Sequence, residues 1–180
     1  MVPVDERERL NLFEQTVLPH LDAAYNLARW LAGNDHDAQD VAQEATLRAF
    51  RFFGNFRGEN ARAWLLTIVR NTFYTWLRKN RPQETMVEIN DETLANEDAL
   101  IETNAVSNST ADAELVRQAI AELPVEFREI VVLREMEGFS YKEIAELADV
   151  PIGTVMSRLA RARKLLQHRL AAEFKPGGPS

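Results

Sequence analysis

Two stretches of this sequence carry side chains suited to nucleic acid. Residues 150–172 hold five basic side chains (Arg158, Arg161, Arg163, Lys164 and Arg169), with no acid before Glu173. Residues 56–81, FRGENARAWLLTIVRNTFYTWLRKNR, hold six Lys/Arg and one Glu, with Trp64, Phe73, Tyr74 and Trp76 interleaved. Cations of this density either form a solvated face or meet phosphates, and rings among them either fill a core or stack on unpaired bases. A third stretch, 36–53, places Asp37, Asp40, Glu44, Arg48 and Arg51 at spacings of 3, 4, 4 and 3, with Gln43 beside them. That spacing lines one helix face, and Glu44 four residues before Arg48 is a favourable pair. Such a face is either simply solvated or docks a basic helix of another protein.

Other chemistry is missing. The chain has no Cys, which excludes disulfides, thiolate metal sites and a Cys nucleophile. His20, His36 and His168 lie far apart, so no metal site is expected. No nucleophile–base arrangement and no phosphate-cradling Gly-rich loop stands out. The expectation is therefore no catalytic residue, no cofactor and no enzyme activity. No run of 18 apolar residues exists to cross a membrane. The charged start MVPVDERERL has no apolar core of a signal peptide. The reading is a soluble cytoplasmic protein without membrane insertion.

The net charge of −7 is unevenly spread over the 180 residues. Residues 1–82 carry 11 basic and 10 acidic side chains, and residues 112–180 carry 10 and 11. Residues 83–111 carry 7 acids and no base. The acidity that would argue against a nucleic-acid partner thus belongs to a connector between two near-neutral blocks. That connector also lacks Gly and Pro, and it is rich in Asn, Thr and Ser. It reads as a flexible linker.

Apolar residues recur at 3 and 4 between Gly and Pro marks, with no clean alternation, so the fold is expected to be all-α. Helices are expected at about 8–31 (broken near Pro19), 36–53, 60–80, 112–123 and 125–137. Ala38, Val41, Ala45 and Phe52 should face inward on the second of these. On the third, Leu65, Ile68, Val69, Thr72 and Trp76 form a buried stripe, and Thr67, Arg70, Asn71, Tyr74 and Arg78 share an outer face. Ser140-Tyr141-Lys142-Glu143 is a capping box that opens a short helix to Leu147. After Ala148-Asp149-Val150, Pro151 sits at the first turn of a last helix running to about Ala172. Two helices joined by that turn make a helix-turn-helix. Val155, Leu159, Ala162 and Leu166 point inward. Ser157, Ala160, Arg161, Lys164 and His168 point outward, with Thr154 and Arg158 at the edges of that face. A recognition helix has this arrangement.

In these stretches the sequence resembles a bacterial RNA polymerase sigma factor of the extracytoplasmic-function (ECF) type of the sigma-70 family. DHDAQDVAQEATLRAF (35–50) resembles the family's core-polymerase-binding helix. FRGENARAWLLTIVRNTFYTWLRK (56–79) resembles its promoter-melting loop and downstream-element helix. LPVEFREIVVLREMEGFSYKEIAELADVPIGTVMSRLARARKLL (123–166) resembles its C-terminal helix-turn-helix. The resemblance implies a region 2-like domain at 1–82, a linker at 83–111, a region 4-like domain at 112–174 and a disordered tail at 175–180. It implies that Asp40, Gln43, Glu44 and Arg48 dock on core RNA polymerase. Phe56, Arg57, Gly58, Glu59, Asn60 and Asn71 then fall at the reader of a flipped base in the melted non-template strand, with Arg70, Tyr74 and Arg78 on the same face. Thr154, Ser157, Arg158, Arg161, Arg163 and Lys164 fall on the reader of the upstream duplex element. An anti-sigma factor is implied as a further partner. Two positions depart from the family pattern: Met156 stands where Lys or Arg is usual, and Ala160 where a larger polar or aromatic residue is common. Both reduce polar contacts near base edges.

The two promoter elements lie about 85 Å apart along the duplex. A coil of 29 residues averages about 30 Å end to end. The linker is therefore expected to be held extended by the polymerase, or else the two domains fold together when free and hide both DNA faces. Two rival readings are a stand-alone helix-turn-helix repressor or activator, which has no need of the 35–79 features, and a structural module of two helical bundles.

Overall fold

The computed structural model describes residues 5–84 and 110–173. The tail from 174, the first four residues and linker residues 85–109 lie outside the described residues, and with them the expectations of a flexible linker and a disordered tail. Every regular element described is helical. The first block contains α1 (Glu6–Thr16), α2 (Leu21–Ala32), α3 (Asp35–Phe52) and α4 (Ala61–Asn80). Pro19 sits in a single 3-10 turn, Leu18–His20, which separates α1 from α2. Gly33 closes α2 at φ +85°, a left-handed position that favours glycine. Asn34 then caps α3, its side chain accepting from the Asp37 amide at 2.9 Å. Asn60 caps α4 in the same way through Ala63 at 3.0 Å.

The core of this block is formed where α2, α3 and α4 pack together, around Leu27, Leu31, Val41, Ala45, Leu65 and Val69. Each large side chain buried there contributes about 1.5–3 kcal/mol. Two expectations need correction. Phe52 is 50 % exposed; Ala49 takes the inward place, and Phe53 turns into the core against Phe13 at 5.4 Å. On α4 the buried set extends to Leu66, Phe73 and Leu77, while Ile68 and Trp76 are half-buried. The reason is tertiary: α4 is covered by α2 and α3 on one side and by the second block on another.

The second block contains α5 (Thr110–Ala121), α6 (Val125–Val131), which runs on through a π turn at Val132–Met136, then α7 (Tyr141–Ala148) and α8 (Ile152–Glu173). Ile130, Leu133, Ile144, Val155 and Leu159 are its buried centre. The capping box forms: Ser140 Oγ accepts from the Glu143 amide at 3.1 Å, and Glu143 Oε2 accepts from the Ser140 amide at 2.8 Å. Those bonds hold the Glu143 carboxyl below the usual range. A lowered carboxyl supports folding above its unfolded pKa and loses that support as pH falls through its folded pKa. Ser140→Ala is expected to lower stability by about 1 kcal/mol and to flatten this acid dependence. An unshifted urea midpoint at neutral pH would show that the box contributes nothing. Asp149 makes the turn before α8 at φ 54°, a left-handed conformation that Asp tolerates better than most residues.

The two blocks pack against each other, α4 on α7 and α2 on α6, and their cores join.

Candidate nucleic-acid and polymerase interfaces

The acidic face on α3 is open. Asp40, Gln43 and Glu44 are exposed, and Arg48 Nε reaches back to Glu44 Oε1 at 2.9 Å. Asp37 departs from this face: it pairs with Arg81 at 2.7 Å and ties the start of α3 to the end of α4. The hydrogen bond from Asn34, then the Arg81 guanidinium, lower its carboxyl pKa against the opposing effect of burial. Beside the face runs a shallow apolar groove lined by Leu21, Ala24, Tyr25, Ala42, Thr46 and Leu47. Leu47 is 61 % exposed at its rim. Sequence reasoning missed this groove. Leu47, out of phase with the buried stripe on α3, was the available signal.

The loop before α4 is half anchored. The Phe56 ring stacks on Phe53 at 5.9 Å and meets Trp64 at 5.2 Å, so it holds the loop against the core. Arg57, Gly58, Glu59 and Asn60 remain exposed, with Gly58 at φ +88°. The outer face of α4 then divides. Asn71 and Arg78 are exposed. Arg70 and Tyr74 are covered, because Glu129 of α6 lies against them.

Glu129 is the buried acid of this interface, with no accessible surface. It accepts from Arg70 Nε and, at 2.8 Å, from the Tyr74 hydroxyl. The Arg70 guanidinium also stacks over the Tyr74 ring at 4.6 Å. Burial pushes the Glu129 carboxyl up, although Arg70 and Tyr74 pull it back. Burial and the facing carboxylate raise the Tyr74 hydroxyl as well. Two further contacts join the blocks. Arg62 pairs with Glu137 at 2.8 Å and lies over the Phe139 ring at 4.6 Å. Arg128 donates to the Leu31 carbonyl at 2.9 Å. The sequence held a signal for Glu129, a single acid set between Phe127 and the apolar run from Ile130 to Leu133.

Along α8, Val155, Leu159 and Ala162 are buried and Leu166 packs on the core. Ser157, Ala160 and Lys164 are exposed, and Thr154, Arg158, Arg161 and Arg163 are half-buried. Arg163 pairs with Glu135 at 2.9 Å, which fixes the π turn to α8. Closing the two blocks therefore covers Arg70 and Tyr74 but leaves Asn71, Arg78, Ser157 and Lys164 open. The expectation that closure hides both DNA faces holds only for that one part of α4.

A basic second helix of a helix-turn-helix, a capped loop before another basic helix and an open acidic face make up an all-helical protein of the helix-turn-helix class. Sigma-70 region 2 matches residues 16–83, and Sigma-70, region 4 matches residues 113–166. The chain is 36 % identical over 161 residues to the ECF RNA polymerase sigma factor SigE of Mycolicibacterium smegmatis, covering 88 % of this chain and 62 % of that one. It is 36 % identical over 165 residues to the RNA polymerase sigma-H factor of Pseudomonas aeruginosa, covering 88 % and 86 %. Among solved structures, the sigma factor RpoE of Bartonella quintana, in complex with the anti-sigma factor NepR, superimposes with a TM-score of 0.68 at 31 % identity, covering 88 % of this chain and 96 % of that one. The chain belongs to the sigma-70 family of RNA polymerase sigma factors, in its extracytoplasmic-function type. It spans about three-fifths of the length of the mycobacterial relative.

Proposed function

We propose that this chain is the promoter-specificity subunit of a bacterial RNA polymerase. It binds core polymerase, directs it to particular promoters and promotes strand opening. The observation that carries this reading is the presence of regions 2 and 4, in that order, on one chain. A stand-alone repressor gives no reason for the region 2 match or for the open acidic face. Asp40, Gln43, Glu44 and Arg48 dock on the polymerase. Arg57, Gly58, Glu59, Asn60, Asn71 and Arg78 meet the melted downstream strand, with Phe56 bracing their loop. Arg70 and Tyr74 join them once Glu129 has let them go. Thr154, Ser157, Arg158, Arg161 and Lys164 meet the upstream duplex, and Arg163 does so at its edge. The two matched ranges, 16–83 and 113–166, support a division into a region 2 domain, a connector and a region 4 domain.

The chain acts by binding, with no chemistry of its own, and it works in the cytoplasm where the polymerase is. The likeness to a sigma factor held by an anti-sigma factor supports an anti-sigma partner here too. No described helix is long and apolar enough to cross a membrane.

Full-length chain mixed with core polymerase should co-elute in gel filtration and open a promoter duplex; failure to co-elute would refute the reading. Arg161→Ala is expected to weaken upstream binding by the holoenzyme and to lower the slope of log affinity against log salt by about 0.9. An unaltered slope would mean that Arg161 meets no phosphate.

A further inference from the structure

The outward face of α8 has two unlike edges. Thr154, Arg158 and Arg161 lie toward one, and all three can hydrogen-bond. Along the other, Ile152, Met156 and Ala160 follow one another at intervals of four, which puts them in a single row one turn apart. Ile152 is 49 % exposed, Met156 52 %, and Ala160 is exposed as well. Ile152 and Met156 are large apolar side chains left in water, as Leu165 is further along the helix at 38 %. Ile152 and Met156 occupy the first two turns of the helix, the part of a recognition helix that reaches base edges.

None of the three can donate to a base, and only the Met156 sulfur can accept, weakly. Each can still rest against an apolar group, and in the major groove the one apolar group is the C5 methyl of thymine. The surrounding charge fits duplex DNA: Arg158, Arg161, Arg163, Lys164 and Arg169 follow without an acid until Glu173. Arg158, Arg161 and Lys164 hold phosphates and set the register, Arg163 and Arg169 being paired with Glu135 and Glu122, and the apolar row is then carried along the floor of the groove. Met suits this role because its unbranched side chain adapts to an irregular surface.

We propose that Ile152, Met156 and Ala160 read thymine C5 methyl groups in the upstream promoter element, so that the element is selected in part for A·T pairs at the positions facing this row. The inference rests on the DNA-binding role of α8 stated above and adds the chemical group that is recognised.

The test uses the full chain with core polymerase. An upstream element is selected from a randomised duplex, and each selected thymine is then replaced by deoxyuridine. That base keeps every hydrogen bond and lacks only the methyl. In the wild type, at least one thymine should be found whose replacement weakens binding by about fourfold, the worth of one buried methyl. In Met156→Ser the same replacement should have almost no effect, while the salt slope stays at its wild-type value. Selection of an element in which deoxyuridine is tolerated everywhere would overturn the inference and leave the sigma reading intact. Equal loss in wild type and in both Met156→Ser and Ile152→Ser would overturn it too. If Met156→Ser instead loosens binding to core polymerase without DNA, the row meets protein and the inference falls. If no element can be selected at all, the DNA-binding reading of α8 fails together with it.

Discussion

Replacing Arg70 by alanine opens the closed chain at neutral pH. In the closed form Glu129 has no contact with water, and its charge is compensated chiefly by Arg70 and the Tyr74 hydroxyl, with a smaller contribution from Arg158 of α8. Removing the guanidinium leaves a buried carboxylate with one hydrogen bond. Breaking a buried pair in this way costs about 3 kcal/mol, roughly 150-fold in the balance between closed and open forms. Separation lets water reach Glu129, so the chain escapes the penalty by opening rather than by unfolding. The chain has no Cys, so a pair of introduced Cys labels, one on α3 and one on α8, reports the distance directly by energy transfer. Helix content should stay at the wild-type value.

Burial raises the Glu129 carboxyl, so the closed form holds this proton more tightly than the open form does. Closure is favoured at low pH and is lost as pH rises through the raised pKa, in a window above the ordinary glutamate value of about 4.3. Arg70→Ala should therefore close again on mild acidification. Adding Glu129→Gln to Arg70→Ala should restore closure at neutral pH, because the neutral amide removes the buried charge. Unchanged energy transfer in Arg70→Ala across the whole range would show that this pair does not hold the blocks together.

The second large effect is expected on the opposite side of the first block. Glu44→Arg reverses a charge on the open acidic face and also sets two arginines four residues apart, with Arg48. Affinity for core polymerase should fall at least about 30-fold, roughly 2 kcal/mol, the scale of losing one partner of a close charge pair across an interface. Glu44 is exposed and its ion pair is internal to one helix, so stability should change by less than about 0.5 kcal/mol. An unaltered core titration would move the docking surface elsewhere, with the apolar groove at Leu47 the next face to probe.

The features that were legible in the sequence are those decided within four residues. Ser140 and Glu143 announce their own cap, Gly33 its helix end, and Pro19 and Pro151 their boundaries. The inward stripe of Val155, Leu159 and Ala162 was equally plain, because a two-helix motif leaves that face no other place to go. What escaped depends on distant chain. Arg70 lies 59 residues before Glu129, and nothing in the spacing around Arg70 distinguishes a solvated cation from one covered by another block. The same ambiguity hid the burial of Phe73 and Leu77, since α4 is covered on more than one side. Asp37 belonged by spacing to the acidic stripe on α3, but its partner Arg81 lies beyond the end of α4. Glu129 itself was findable as an acid at the head of the apolar run from Ile130 to Leu133. Its partners were not.

Arg128 has a consequence for how the chain opens. Its guanidinium donates to the carbonyls of Ala121 and Leu123 at 2.8 and 3.1 Å, and it spans to Leu31 of the first block at 2.9 Å. When the blocks part, the Leu31 carbonyl can turn to water, while the bonds to Ala121 and Leu123 stay within the second block. The α5–α6 corner thus keeps its brace in either form. Opening is then a rigid-body hinge rather than a melting of local structure. Amide exchange from 121 to 133 should run equally slowly in the closed wild type and in the opened Arg70→Ala chain.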